Sequence, residues 1–156
     1  MTEISLEAIK ALREQTSAGI MDCKNALVEA DGDMVKAAEL LRQKGLILVG
    51  KKSSRETPEG VVDCYIHTGN RVGAIVEVNC ETDFVARTPE FKELVHNLAM
   101  QVAAMAPRYV DTGSIPAEDN ANPEEACLLE QPFIKDPAMT ITDLVNEVMA
   151  RLGENI

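Results

Sequence analysis

The stretch VVDCYIHTGNRVGAIVEVNC, residues 61–80, decides the fold of this chain. Apolar and polar side chains alternate in it with a period of two, on both sides of the turn-forming sequence TGNR at residues 68–71. Such alternation is typical of strands with one buried face, so the pattern predicts an antiparallel β-hairpin. The apolar positions expected on that face are Val62, Cys64 and Ile66 in the first strand and Val72, Ala74, Val76, Val78 and Cys80 in the second.

A long amphipathic helix is predicted directly after the hairpin. Thr88 offers a hydroxyl cap, Pro89 suits the first helical position, and Glu90 places an acid in the first turn. Apolar residues then recur at helical spacing as far as Pro107, at Phe91, Leu94, Val95, Leu98, Val102 and Met105. A helix packed across a hairpin predicts a small α+β subdomain, an antiparallel sheet with helices, over residues 61–156.

The rest of that subdomain is predicted to be irregular and then helical. Residues 111–130 contain six acids, no base and two prolines, so we expect an irregular, solvated connection. Phe133 is expected to enter the core from an extended segment. Thr140 and Asp143 have the spacing of a capping box, which predicts a last helix that ends at Gly153.

The first 45 residues predict a bundle of three short helices. Their apolar positions recur at helical spacing and are Leu6, Ile9 and Leu12, then Ile20, Cys23, Leu27 and Ala30, then Met34, Ala37, Leu40 and Leu41. Gly32 and Gly45 are natural helix stops. Residues 1–45 therefore predict a separate N-terminal domain with the architecture of ubiquitin-associated domains, and residues 46–60, LILVGKKSSRETPEG, an exposed linker.

Charge and hydropathy exclude several classes of partner. The 156 residues carry a net charge of −11, which argues against direct nucleic-acid binding and against an anionic membrane surface. The charge is uneven, with net 0 over residues 1–52, −3 over 53–110 and −8 over 111–156. The sequence has neither a transmembrane-length apolar run nor a basic-then-apolar leader, which predicts a soluble intracellular protein. Its compact size and the absence of a transit peptide favour the bacterial cytoplasm, and a mature organellar form is the alternative.

The residue types that usually carry catalysis form no recognisable pattern. The four cysteines are 41, 16 and 47 residues apart, without a CxxC pair, and we expect them to be reduced and mostly buried. Cys64 and His67 are three residues apart on a predicted strand, so they point to opposite faces and cannot share a metal ion. Without a phosphate-binding loop or a thiol with a nearby base, we expect no enzyme activity, no cofactor and no metal.

The segment NCETDFVAR, residues 79–87, is the unusual feature that remains. In one interpretation Phe84 belongs to the core and Asp83 forms a turn. In the other, both lie at a loop tip, where an exposed aromatic side chain beside an acid anchors a partner. Lys24 and the Lys51-Lys52 pair are candidates for a second contact, although such lysines also occur on ordinary solvated surfaces.

Three blocks of sequence resemble the translation elongation factor Ts family. They are LREQTSAGIMDCKNAL at residues 12–27, VEVNCETDFVAR at 76–87 and LLEQPFIKD at 128–136. Each block is long, and they follow in the family's order. The family pattern includes two core subdomains and a coiled coil in many members. This chain has room for one subdomain and no coiled coil, so it resembles a short form of the family.

The resemblance implies a guanine nucleotide exchange factor without an active site of its own. Members bind elongation factor Tu in its GDP-bound and nucleotide-free forms, dislocate Mg²⁺ and promote GDP release so that GTP can load. Carried onto this chain, the inserted pair is Asp83 and Phe84, flanked by Thr82 and Val85. Secondary contacts fall on Ile20, Met21, Lys24 and Lys52.

The short form of the family also predicts a particular assembly, and two alternative functions stay open. A single-subdomain member is expected to form a homodimer, in which the second copy replaces the missing half. A plain peptide-docking module, built on the helical bundle, remains an alternative that predicts no effect on GDP release. A thiol enzyme would depend on Cys64 or Cys80.

Overall fold

The computed structural model describes residues 4–16, 18–52 and 54–156, and in residues 46–52 the backbone alone. The chain divides into two compact units, Met1–Lys52 and Ser53–Ile156. The second unit begins inside the segment that was predicted to be a linker.

The first unit consists of three helices, α1 (Leu6–Thr16), α2 (Ile20–Glu29) and α3 (Met34–Lys52). Its buried residues come from all three helices and are Ile9, Leu12, Cys23, Ala26, Leu27, Ala30 and Ala37. Two residues assigned to the apolar stripes are exposed instead, Leu6 at 76% and Ile20 at 56%. Ile20 lies in line with Cys23 and Leu27 of the buried stripe, but it is the first residue of α2 and does not belong to the buried cluster.

Helix α3 continues beyond its predicted end. It passes through Gly45 and ends at Lys52, so the first half of the predicted 46–60 linker is helical. A single glycine costs a helix only about 1 kcal/mol relative to alanine. The residues LIL at 46–48 follow Gly45 and are compatible with a helix. Helix α3 therefore continues through Gly45.

The second unit is built on the predicted hairpin. Strands β1 (Glu59–Ile66) and β2 (Gly73–Cys80) pair antiparallel. The turn between them uses Gly69 and Asn70 at φ values of 97° and 56°, a left-handed conformation that these two residue types adopt most readily. Helix α5 (Pro89–Met105) packs against both strands.

The predicted face of β2 turns inward, whereas β1 turns its opposite face inward. Val72, predicted on the buried face, precedes β2 and is 50% exposed. The register sets Val61 opposite Val78, Asp63 opposite Val76 and Tyr65 opposite Ala74. Residues directly opposite share a face, so the apolar face of β2 determines which side of β1 turns inward. The residues predicted to be buried in β1, Val62, Cys64 and Ile66, are exposed.

Polar residues on the inner face of β1 are tolerated because they find partners. Asp63 Oδ2 lies 3.0 Å from Nδ1 of His96, which α5 carries. The Tyr65 hydroxyl lies 3.1 Å from Nδ1 of His67. These contacts compensate the side chains for lost water, and alternation of apolar residues alone does not reveal them.

The remaining elements complete an α+β fold, which confirms the predicted class. They are the short helices α4 (Asp83–Ala86) and α6 (Pro123–Ala126), the two-stranded sheet of β3 (Pro132–Phe133) and β4 (Asp136–Thr140), and helix α7 (Ile141–Leu152). Phe133 is buried in a cluster with Leu94 and Leu98 of α5, as predicted. The capping box of α7 forms with both of its hydrogen bonds, between Thr140 and Asp143.

The acidic connection is more structured than its composition suggests. It contains α6 and short 3-10 turns, and Ala126 and Cys127 are buried. A pair of fully buried glutamines ties its end to α5. Gln101 Nε2 donates to Gln131 Oε1 and to the carbonyl oxygen of Pro132, both at 3.1 Å. Gln101 Oε1 accepts from the Ile134 amide at 3.0 Å.

Replacing Gln101 with leucine tests this attachment. Gln101→Leu keeps the side chain's approximate volume but leaves Gln131 Oε1 and the Ile134 amide without these hydrogen bonds. We expect the free energy of unfolding to fall by about 2 kcal/mol, the cost of unsatisfied buried polar groups. Urea denaturation measures the change. Gln43→Leu, at an exposed position of α3, is the control and should change stability by less than about 0.5 kcal/mol. Equal effects of the two substitutions would contradict this account.

Candidate partner-binding site

The segment between β2 and α5 presents the candidate site, and two threonines shape it. Thr82 caps α4 and accepts a hydrogen bond from the Val85 amide at 3.4 Å. Thr88 caps α5 through the Phe91 amide at 3.2 Å, and its hydroxyl donates to the Val85 carbonyl oxygen at 2.8 Å. The single turn of α4 therefore lies between two capping residues.

Burial of α4 on one side forces Phe84 outward. Val85 and Ala86 are buried, with Cys80 and Phe91, against the hairpin and α5. Successive residues of a helix point about 100° apart, so Phe84 cannot share that face with both. Its side chain is 80% exposed, the highest value among the large exposed apolar residues of the described chain. The interpretation that places Phe84 in the core is therefore wrong.

Asp83, next to Phe84 in the sequence, forms a weak, solvent-exposed ion pair with Arg87. Its Oδ2 lies 2.8 Å from Nη2 of Arg87, one helical turn later, and the two side chains are 44% and 77% exposed. Solvent-exposed pairs at this spacing contribute only about 0.3–0.5 kcal/mol. A partner can therefore replace Arg87 at Asp83 with little loss.

Thr82 is held by a residue that no local sequence pattern connects to it. The Glu154 carboxylate, just after α7, accepts the Thr82 amide at 3.0 Å and the Thr82 hydroxyl at 2.6 Å. Next to it, the Asn155 amide donates to Glu81 Oε1 at 2.7 Å. These contacts join positions more than 70 residues apart, so local sequence patterns do not reveal them.

The predicted secondary contacts lie in the first unit. Ile20, Met21 and Lys24 are exposed on the first two turns of α2. Lys52 is the last residue of α3, and its side chain lies outside the described residues. Val85, predicted as a flanking contact, is buried and packs in the cluster with Cys80 and Phe91.

The Cys80 thiol lies in the buried cluster that supports the segment. Burial raises the pKa of the Cys80 thiol, and the negative charge of Glu154 raises it further, which disfavours the reactive thiolate. Within residues 4–16, 18–52 and 54–156, no group of three or more His, Cys, Asp or Glu side chains is placed to hold a metal ion. None of the helices described there combines the length and apolar character needed to cross a membrane.

Comparisons with known proteins agree on one family. The sequence model described as Elongation factor TS matches residues 42–123. Elongation factor Ts of Moorella thermoacetica is 49% identical, with 98% of this chain and 90% of the relative covered. That of Thermotoga maritima is 48% identical, with 99% and 92% covered. That of Rippkaea orientalis is also 48% identical, with 100% and 75% covered.

These alignments also show a difference in length. They run over 182 to 187 positions, whereas this chain has 156 residues. The relatives therefore carry residues within the aligned region that this chain lacks.

Phe84 in α4 and Phe91 in α5 test whether the first side chain is exposed and the second is buried. Phe91→Ala should lower the free energy of unfolding by about 3–5 kcal/mol, because Phe91 is fully buried. Phe84→Ala should change it by less than about 0.5 kcal/mol, because its side chain contributes little to the core. Urea denaturation of both variants gives the comparison. A decrease of more than about 2 kcal/mol in the free energy of unfolding of Phe84→Ala would show that Phe84 is part of the core.

Proposed function

The chain belongs to the elongation factor Ts family, whose members exchange nucleotide on elongation factor Tu during translation elongation, and we propose that it does so by inserting Asp83 and Phe84 into that GTPase. In this proposal the protein binds the GDP-bound form, perturbs the site that holds Mg²⁺ and the phosphates, and remains bound to the nucleotide-free form until GTP loads. It has no active site of its own and needs no cofactor or metal.

The exchange mechanism follows from linked binding. Mg²⁺ and the diphosphate hold each other by charge, so moving the groups that ligate the ion weakens nucleotide binding. If the factor binds the nucleotide-free GTPase more tightly than the GDP-bound one, nucleotide and factor must each weaken the other's binding by the same factor. The factor therefore needs contacts that are available only in the opened partner.

The exposure of Phe84 is the observation that carries the proposal. Fully burying a phenylalanine side chain contributes about 1.5–3 kcal/mol, equivalent to about ten- to a hundredfold in an equilibrium. Phe84 can supply this in a pocket of the partner, because 80% of its surface is free. Thr82 and Val85 hold the one-turn helix from the side of the protein core, so little ordering is required when Phe84 enters that pocket.

The remaining predicted contacts form a second part of the proposal. Ile20, Met21 and Lys24 give α2 two exposed apolar side chains beside a cation. We assign them, with Lys52, to a further contact with the GTPase domain. We propose that this activity takes place in the bacterial cytoplasm, without nucleic acid or membrane as a direct partner.

Release of a fluorescent GDP analogue from elongation factor Tu tests the proposed mechanism. The wild-type chain should accelerate release, and Phe84→Ala should reduce that acceleration about ten- to a hundredfold, since it removes the apolar contact. Asp83→Ala should give a smaller loss. Val110→Ala, which truncates an exposed apolar residue elsewhere in the same unit, is the matched control and should behave as wild type.

Two other results would contradict the mechanism. If the wild-type chain does not accelerate release, it is not an exchange factor for this GTPase, and the peptide-docking alternative gains support. If it accelerates release but Phe84→Ala is fully active, exchange does not depend on inserting this side chain.

We also propose that the protein forms a homodimer through the outer face of the hairpin. This face carries Val62, Ile66 and Ile75 at 65%, 57% and 75% exposure, beside the exposed Cys64. The register places Cys64 opposite Ile75, and Glu77 opposite Val62 toward one end of the face. Exposed apolar residues grouped in this way often mark an interaction site. A second copy would cover it with an identical apolar face, as a two-fold interface requires.

Light scattering on the purified chain measures the assembly. We expect the mass of a dimer, and we expect Ile75→Lys to shift it to the mass of a monomer by burying a charge in the interface. Val110→Lys, which adds the same charge elsewhere, should remain a dimer. A wild-type monomer with full exchange activity at its working concentration would contradict the proposal.

A further inference from the structure

The geometry points to Glu154 as a positioning residue for exchange, which holds the Asp83-Phe84 segment in place through Thr82. This inference rests on the proposed function, because it concerns how that segment is presented. It adds a residue that makes no predicted contact with the GTPase and that lies 70 positions after Phe84 in the sequence.

The first step is the pair of hydrogen bonds between Glu154 and Thr82. One carboxylate oxygen accepts the Thr82 amide at 3.0 Å, and the other accepts the Thr82 hydroxyl at 2.6 Å. Hydrogen bonds to an ionised acceptor are shorter and stronger than neutral ones. The Glu154 side chain therefore fixes both the amide and the hydroxyl of Thr82.

The second step is the orientation of the Thr82 hydroxyl. A threonine hydroxyl has one proton to donate and lone pairs with which to accept. Because that proton points to Glu154, a lone pair remains directed at the Val85 amide, 3.4 Å away. Glu154 thereby selects the hydroxyl rotamer that caps α4, the helix that carries Phe84.

The third step is the rigidity of the support behind Glu154. Helix α7 ends at Gly153, which adopts a left-handed conformation with φ of 78°, and this turn directs the following residues toward β2. The Asn155 amide donates to Glu81 at 2.7 Å, and the Asn155 side chain donates to the Arg55 carbonyl oxygen at 2.7 Å. Ile156 packs into the core with Phe91 and Val95.

Together these contacts hold residues 81 and 82 against the segment that follows α7, residues 154 and 155. We call this set of hydrogen bonds the clamp. The clamp leaves Asp83 and Phe84 themselves free for a partner, while it restricts the one turn of helix that carries them. Loss of Glu154 should therefore slow the opening step at the GTPase more than it weakens the encounter, for which the exposed residues of α2 remain available.

The test uses Glu154→Ala in the full chain, with Glu118→Ala as the control at an exposed glutamate of the acidic connection. With GDP-loaded elongation factor Tu, we expect Glu154→Ala to lower the maximal rate of GDP release about tenfold. The half-saturating concentration of factor should change less than twofold. Glu154→Gln keeps the side-chain length and one acceptor for the Thr82 amide, but it turns an NH2 donor toward the Thr82 hydroxyl, so it should recover only part of the rate.

A double-mutant cycle with Thr82→Val tests whether Glu154 acts through Thr82. We expect Glu154→Ala to cost less than about threefold when Thr82 is already valine. A further tenfold loss in that background would show that Glu154 acts elsewhere. Wild-type rates in Glu154→Ala, from a wild-type chain that does accelerate release, would overturn the inference and leave the proposed function intact.

Amide hydrogen exchange of the free protein separates this inference from the proposed function and from a general loss of stability. Glu154→Ala should reduce protection of the Thr82 and Val85 amides and leave the Phe91 amide, which Thr88 caps, protected. Equal loss at all three would mean that Glu154 supports the whole fold. Unchanged protection at Thr82 and Val85 would refute the positioning role, whether or not the wild-type chain promotes GDP release.

Discussion

The proposed binding surface of this protein depends on the burial of one side of a single helical turn, α4. Val85 and Ala86 fill the space between the hairpin and α5, and the helical rotation of about 100° per residue then leaves Phe84 in solvent. Exposing a phenylalanine sacrifices about 1.5–3 kcal/mol of burial that a core position would have contributed. In the proposed mechanism this burial occurs instead against elongation factor Tu, the partner of the family.

The parts of the fold set by local rules could be predicted. Thr88-Pro89-Glu90 started α5, and Thr140 with Asp143 formed the capping box of α7, because capping depends on residues three positions apart. The inward side of β1 could not be predicted in the same way. It follows from the register with β2, and the inner Asp63 is acceptable only because His96, on a different element, lies 3.0 Å away.

For the site, the residue pattern alone located an unusual segment and left two orientations of Phe84 open. The family resemblance favoured exposure, and the packing of Val85 explains it physically. Glu154 and the buried pair Gln101 and Gln131 could not be found from spacing, since they meet residues 30 to 72 positions away. Their hydrogen bonds connect the end of α7 and the acidic connection to the hairpin and α5, which support the site.

The most direct measurement is photo-crosslinking from the position that the account places inside the partner. The chain with p-benzoylphenylalanine in place of Phe84 is irradiated with GDP-loaded elongation factor Tu, and the same group in place of the exposed Val110 provides the comparison. Insertion of Phe84 predicts an adduct from position 84 within the GTPase domain, beside the residues that hold Mg²⁺, and none there from position 110. An adduct from position 84 only outside that domain, or equal labelling from both positions, would contradict insertion of this segment.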